Sequence, residues 1–303
     1  MRYLVGYSPS PRGRDALNLA VALASSLGAE LDVVYVIKQQ NPRLAAPRSN
    51  FGALLQEQAV GWLEEAQQWV PTDLKARFHL RQAESTAAGL MEFAEAIAAG
   101  AIIVGGAKTG GWLFHSLGSV AQALLHRSSI PVILAPRSYD AARVIDQIDC
   151  AVSAEIDSIS LVEEAVATAQ RTGLPVRLVS LVEGAAGPQE QAEAEAILRD
   201  LLDQSSIVPL ESDRISIRVG QGATIPEAVE SVDWSAGSVL MAGSSRLAAR
   251  GQLFLGSHTA KILTRLPLPL VVVPRDYSPG RRGSAQDPWT GSLPQVKKPA
   301  AGA

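Results

Sequence analysis

The sequence has one cysteine and no long hydrophobic run. Cys150 cannot form a disulfide within the chain and lies in a predicted buried strand, which indicates packing and a reducing compartment rather than chemistry. No apolar run approaches the roughly 18 residues that a membrane-spanning helix needs. Residues 1–7 are typical of a strand and carry no signal-peptide core. We therefore expect a cytoplasmic protein without membrane insertion.

The chain carries little net charge, and it lacks the sequence patterns of several common active sites. The net charge of −3 lacks the basic excess that nucleic-acid binding favours. The chain contains no Gly-Lys pair and no G-x-S-x-G sequence, which excludes a P-loop lysine and a nucleophile elbow. None of the histidines has H-x-x-x-H or E-x-x-H spacing. We predict no nucleic-acid partner, no metal site and no catalytic residue.

One pattern is present twice. Gly105-Gly106-Ala107-Lys108 is followed, after nine residues, by Gly118-Ser119, and Gly243-Ser244-Ser245-Arg246 is followed after nine residues by Gly256-Ser257. The two copies lie 138 residues apart. Each is preceded by an apolar run and followed by a probable helix and a second apolar run. The chain is therefore a duplicated module.

Each half alternates strands with helices, which predicts an α/β fold with a parallel sheet, helices on both faces and doubly wound topology. Ligands are then expected beyond the carboxyl ends of the strands. Gly28 matches Gly173 at a spacing of 145. The second half therefore lacks seven residues, most simply in the loop that corresponds to 38–50. We predict domains at 1–137 and 148–275, a linker at 138–147 and a disordered tail at 276–303.

Both glycine loops have the chemistry of a phosphate site. The first turn of a helix offers unpaired N–H groups and a partial positive charge. Gly118 and Gly256 carry no Cβ, so a phosphate can approach the backbone. Ser119 and Ser257 add hydroxyl groups. A helix that merely starts at Gly-Ser would show the same residues, and the loops alone leave that alternative open.

The pattern of strand, G-x-x-G, nine residues, G-[S/T], helix and a strand with Ile-Pro-Val resembles the universal stress proteins. The similarity covers about 2–137 and 148–275. It implies two tandem five-stranded domains of the adenine nucleotide alpha hydrolase-like, Rossmann-like type, with strand order 3-2-1-4-5. It also implies a non-enzymatic stress-response protein from a family with ATP-binding and non-binding branches. In the binding branch the loop and the Gly-Ser pair hold phosphates and ribose, and an acidic residue after the first strand holds the adenosine.

The sequence departs from that pattern at two positions of each half. Lys108 and Arg246 replace the second glycine of G-x-x-G, and Ser8 and Ser153 replace the acidic residue. The cations either attract phosphate or fill the pocket. The resemblance implies ATP, with Mg²⁺, as the ligand. We expect the glycine loop of the first half to leave slightly more space for a nucleotide than the glycine loop of the second half. The candidate binding residues are Ser8, Gly105, Lys108, Gly118 and Ser119 in the first half, and Ser153, Gly243, Arg246, Gly256 and Ser257 in the second.

Two functions remain open at this point. The first is a nucleotide-binding regulatory protein that acts on an unidentified protein partner. The second is a scaffold of the same fold that binds no nucleotide and acts through protein–protein interaction. A slow ATPase is a weaker third reading. The resemblance also implies pairing through the last strands, Val132–Ala135 and Leu270–Val273, which in a tandem chain gives an internal pseudo-dimer. The sequence leaves further pairing into a homodimer open.

Overall fold

The computed structural model describes residues 1–39, 49–106, 117–152, 159–184, 188–204, 214–244, 253, 255–275 and 277, without the side chains of 49–51, 188 and 190. The elements of the first half are β1 (Arg2–Gly6), α1 (Pro11–Leu27), β2 (Glu30–Lys38), α2 (Ser49–Gln67), β3 (Ala76–Ala83), α3 (Thr86–Ala96), β4 (Ala101–Gly105), α4 (Ser119–Arg127) and β5 (Val132–Ala135). Those of the second half are β6 (Gln147–Ala151), α5 (Ile159–Thr172), β7 (Val176–Glu183), α6 (Pro188–Gln204), β8 (Ile215–Gly222), α7 (Ile225–Glu230), β9 (Ser238–Gly243), α8 (Ser257–Leu263) and β10 (Leu270–Val273).

All ten strands form one sheet in the order β3-β2-β1-β4-β5-β10-β9-β6-β7-β8. Each half has the strand order 3-2-1-4-5 and is parallel throughout. This confirms the predicted fold class. The halves join where β10 pairs antiparallel with β5, with Val271 opposite Ile133. The expected pairing of the last strands is therefore internal to the chain.

Local sequence signals explain where the helices begin and end. The Ser10 hydroxyl caps α1 by accepting a bond from the Gly13 N–H, and Ser85 and Thr224 cap α3 and α7 in the same way. Gly28, with a φ of 63°, ends α1 in the left-handed conformation. Gly173, with a φ of 76°, follows α5 at the corresponding place.

The predicted place of the seven missing residues needs correction. The loop after β2 spans 39–48, whereas the one after β7 spans 184–187, so six of the seven missing residues are lost there. The helix caps Ser85 and Thr224 match at a spacing of 139, whereas the last residues of β4 and β9 match at a spacing of 138. The seventh residue is therefore lost between Thr224 and the end of β9. In the second half the corresponding helix, α7, ends at Glu230. The Trp234 indole donates to the Val229 carbonyl, at 2.7 Å, and so helps to satisfy a carbonyl in the last turn of this helix.

The two faces of the sheet are packed differently across the junction. On one face α3, α4, α7 and α8 share a single hydrophobic core that runs from the first half into the second. On the other face α1 and α2 form one cluster, and α5 and α6 form another. Partly buried Leu174 and Val271 touch both clusters. The second face therefore has a break in its packing between α1 and α5.

In the part of the chain that the structure describes, no helix has the length and apolar character to cross a membrane. Nor do the described residues bring three or more histidine, cysteine, aspartate or glutamate side chains together as a metal site would require.

Candidate functional site

In each half the carboxyl ends of adjacent strands bring those predicted site residues that the structure describes to one edge of the sheet. In the first half β1 pairs with β4, with Val5 opposite Ile103, so Ser8 and Gly105 follow at the same edge. In the second half β6 pairs with β9, with Cys150 opposite Met241, which places Gly243 at the corresponding edge. Because β5 and β10 are antiparallel, the strands of the two halves run in opposite directions. The two edges therefore lie at opposite ends of the strands and not next to each other.

Ser8 takes part in the turn that begins α1. Its hydroxyl oxygen lies 2.8 Å from the hydroxyl oxygen of Ser10, and its carbonyl accepts a bond from the Ser10 N–H, also at 2.8 Å. Ser10 in turn caps the helix. Ser8 therefore has a structural role in the α1 cap.

Gly105 and Gly243 occupy matching positions but have different surroundings. A Cβ added to Gly105 would lie 2.1 Å from the carbonyl oxygen of Arg12, so the backbone of α1 packs directly on this glycine. A Cβ added to Gly243 would meet only Leu161, at 3.6 Å. At this position the second half has the more open space.

The N-termini of α4 and α8 have the same geometry. Gly118 and Gly256 are the N-cap residues, with φ and ψ of −77° and 165°, and of −72° and 161°, and neither helix has a side-chain cap. Ser119 and Ser257, the first helical residues, are exposed. The first N–H groups of α4 therefore receive no side-chain cap, which leaves an anion-binding geometry at this edge.

The remaining predicted residues, Lys108, Arg246 and Ser153, lie outside the described residues. So does His115 in the first glycine loop. Of the other histidines, His79 lies on β3 with its Nε2 2.7 Å from Oδ1 of buried Asp32. That contact gives His79 a structural role in the sheet.

A tyrosine that follows the last strand of each half was missed by the sequence analysis. Tyr139 and Tyr277 are 138 residues apart, so the duplication extends two residues beyond the recognised repeat. Tyr139 is buried against α1, whose Asp15 accepts a bond from its N–H at 3.1 Å. Tyr277 lines a cavity of about 30 Å³ with Gly243 and Ser244, which has room for about one water molecule. The spacing of 138 residues between the two tyrosines is visible in the sequence.

Leu253 connects the second glycine loop to the first half. Its N–H donates to the carbonyl of Ser128, at the end of α4, over 2.9 Å. Its side chain is 1% exposed and packs in the core that both halves share. The loop of one half is therefore anchored on the other.

The single thiol is inert. Cys150 is fully buried in β6, and burial, with a smaller contribution from Asp149, raises the pKa of its thiol far above the ordinary value. It stays protonated, and a protonated buried thiol is a poor nucleophile.

Comparison with known proteins gives a consistent result. The model of the "Universal stress protein family" matches residues 1–136 and 145–274. Universal stress proteins of Mycobacterium bovis and Mycobacterium tuberculosis are each 28% identical to the chain over 291 residues, which are 90% of this chain and all of theirs. A universal stress protein structure from Archaeoglobus fulgidus is 18% identical, with a TM-score of 0.63, and covers 90% of this chain and 98% of its own.

Proposed function

The chain belongs to the universal stress protein family, and on that premise we propose that it is a non-enzymatic regulatory protein of the cytoplasm that binds ATP. We place the nucleotide at the glycine loop of the first half. The proposed structural units are 1–137 and 148–275, joined by the linker.

The N-terminus of α4 is the observation that carries this proposal. Gly118 is its N-cap without a side-chain cap, and α4 is nine residues long. The helix begins at the same edge of the sheet as the end of β4. Unpaired N–H groups and the helix dipole favour an anion there, and Gly118 presents no Cβ to obstruct it.

Each candidate residue of the first half has a role in this proposal. The N–H groups beginning at Ser119 would bind a phosphate, and the Ser119 hydroxyl would add a donor. Lys108 would supply a positive charge, because a charge-assisted hydrogen bond is stronger than a neutral one. Mg²⁺ would enter with the nucleotide phosphates rather than through a dedicated set of carboxylates.

The regulatory step is an ordering of the glycine loops. We propose that bound nucleotide orders the first loop and changes the surface that a protein partner recognises. The bond between Leu253 and Ser128 supports a further effect on the second half, because α4 ends at the residue that holds the second loop.

The alternative is a scaffold without nucleotide. The engagement of Ser8 in the α1 cap favours it, because no carboxylate stands there to bind adenosine. The internal pairing of β5 with β10 also favours a rigid platform for a protein partner.

Calorimetric titration of the full chain with ATP, MgATP and adenosine tests the proposal. We expect micromolar binding of ATP and much weaker binding of adenosine, because the phosphates carry the interaction. Gly118→Ala should weaken ATP binding at least 10-fold, and Lys108→Ala by about 10-fold or more, as the loss of a charged hydrogen bond implies. Gly256→Ala in the second half is the matched control and should bind as the wild type does.

Other outcomes favour other readings. No ATP binding by folded wild-type protein would leave the scaffold. Loss of binding in Gly256→Ala but not in Gly118→Ala would move the site to the second half. Tighter binding in Lys108→Ala would show that the lysine fills the pocket.

A further inference from the structure

A cavity of about 380 Å³ lies between α1 and α5, over the central strands of the sheet. Its floor is apolar and crosses the junction between the halves. The floor includes Tyr3, Ile133, Val239, Met241 and Val271. This volume is within the range of sites for small organic ligands. None of the candidate nucleotide-binding residues that the structure describes lines this cavity.

The linker packs on the α1 side of the cavity. After β5 the chain runs beside α1, where Asn18 donates to the carbonyl of Tyr139 at 2.8 Å and Ser26 accepts from the N–H of Ile145 at 2.9 Å. Tyr139 and Ile145 are both buried in the α1 cluster. On the α5 side the described residues after β10 end at Tyr277, which lines the cavity together with Val273.

The two helical walls of the cavity differ in chemistry at matching positions. On α1 the cavity is lined by Leu23 and Leu27, and Leu19 is buried one turn before them. At a spacing of 145 residues their counterparts on α5 are polar, namely Glu164, Thr168 and Thr172. A helix that only had to cover the sheet would keep leucines there. The replacement gives the cavity one apolar wall and one wall with hydrogen-bonding groups.

The polar wall carries no unpaired charge. Arg171 donates to Glu164 at 3.0 Å and to the Thr168 hydroxyl at 2.8 Å. Thr168 also donates to Glu164, at 3.1 Å. Because the two charges neutralise each other, the wall suits hydroxyl or carbonyl groups better than a phosphate or a carboxylate.

Tyr3 adds an underused donor to the floor. The residue is 6% exposed, and its hydroxyl donates to the sulfur of Met1 at 2.8 Å, a weak acceptor. Burial raises the pKa of Tyr3 to about 12, so the hydroxyl keeps its proton at physiological pH. A ligand carbonyl would be a better partner for it than a thioether.

We propose that the cavity between α1 and α5 binds an uncharged amphipathic small molecule, with an apolar body and hydroxyl or carbonyl groups along one edge. The apolar body lies on the sheet and against the leucines of α1. The polar edge faces Thr168 and Arg171 on α5, and the Tyr3 hydroxyl donates to a ligand oxygen.

Fluorescence titration of the full chain with Nile red, an uncharged dye with a carbonyl group, tests this site. We expect saturable binding of one dye per chain. Tyr3→Phe should weaken Nile red binding about 3- to 10-fold, the effect of one hydrogen bond. It should leave the hydrocarbon diphenylhexatriene unchanged. Val271→Trp, which fills the cavity, should abolish binding of both dyes, and Leu54→Trp on exposed α2 should not.

If Val271→Trp fails to fold, Thr168→Phe on α5 blocks the same space from the other side. The absence of saturable binding by the wild type would overturn the proposal. So would unchanged binding in folded Val271→Trp or Thr168→Phe. Binding that is seen only in Trp289→Ala would assign the cavity to the chain's own tail. A dimer that dissociates in Val271→Trp would assign it to a second copy. Either result contradicts a small-molecule site.

Discussion

Glycine occupies the last position of both β4 and β9, but for different physical reasons. Gly105 is required by the backbone of Arg12, whose carbonyl carbon and oxygen leave no space for a Cβ. Gly243 has open space in the same direction. A shared motif residue can thus serve packing in one copy and remain dispensable for packing in the other.

This difference predicts unequal costs for the same substitution. Gly105→Ala should lower the free energy of unfolding by about 1–3 kcal/mol, because the backbone must move to relieve the overlap. Gly243→Ala should change it by less than about 0.5 kcal/mol, as for a substitution without a packing conflict. Urea unfolding of the two variants compares them directly. Equal costs would contradict the packing described here.

At the scale of the elements, α1 holds the start of the linker through a side-chain hydrogen bond. Asp15 on α1 accepts a bond from the Tyr139 N–H. Burial raises the pKa of Asp15 above its ordinary value of 3.8, although backbone hydrogen bonds from Tyr139 and Ser138 partly oppose the shift. A raised folded-state pKa means that the native protein binds this proton more tightly than the unfolded chain does.

The sign of the pH effect follows from this linkage. As the pH rises through the interval between 3.8 and the raised pKa, the wild type loses the stability contributed by the protonated Asp15. Asp15→Asn keeps an oxygen acceptor and cannot ionise, so its stability relative to the wild type should increase from pH 3 to pH 7. Asp15→Ala should cost about 1 kcal/mol through the lost hydrogen bond. Urea unfolding across this pH range measures both.

Glu30 provides a control of opposite sign. The hydrogen bond from Arg77 is the largest cause that lowers the pKa of Glu30. Its ionised form therefore stabilises the native state above the unfolded-state pKa, and that contribution is lost as the pH falls. Glu30→Gln should accordingly become less stable relative to the wild type as the pH rises. The same pH trend in Asp15→Asn and Glu30→Gln would contradict the opposite directions of the two pKa shifts.

At the scale of the whole molecule, one sheet and one shared core unite the two copies. The β5–β10 pairing continues the sheet across the junction, and the core between α3, α4, α7 and α8 continues beneath it. Leu253 adds a contact from a loop of the second half to the end of α4.

This continuity predicts a single cooperative unfolding transition. Scanning calorimetry should show one peak with equal calorimetric and van't Hoff enthalpies. Leu253→Ala should shift that peak downward without splitting it, at a cost of about 2–5 kcal/mol for a buried leucine. Leu54→Ala, on the exposed surface of α2, should leave it in place. Two resolved peaks in the wild type would show that the halves unfold independently.

The sequence by itself determined the duplication and the α/β class. Both follow from patterns that repeat along the chain, namely apolar runs, helical spacing and glycines at matching positions. The strand order and the pairing of the last strands were implied by the resemblance to the universal stress proteins, and the sheet confirms both. Where the seventh missing residue is lost could not be read from one sequence, because the caps and the strand register that locate it exist only in the folded chain.

Tertiary structure decided the properties that depend on neighbours from distant parts of the chain. Arg12 lies 93 positions before Gly105, yet its backbone makes that glycine necessary. The cavity between α1 and α5 is formed by residues from both halves and from the linker, including Leu23, Ile145 and Thr168. The leucine-to-polar replacements on α5 are visible in the sequence. Only the packed molecule shows that they face a cavity, because burial is a property of the assembled elements and not of either helix alone.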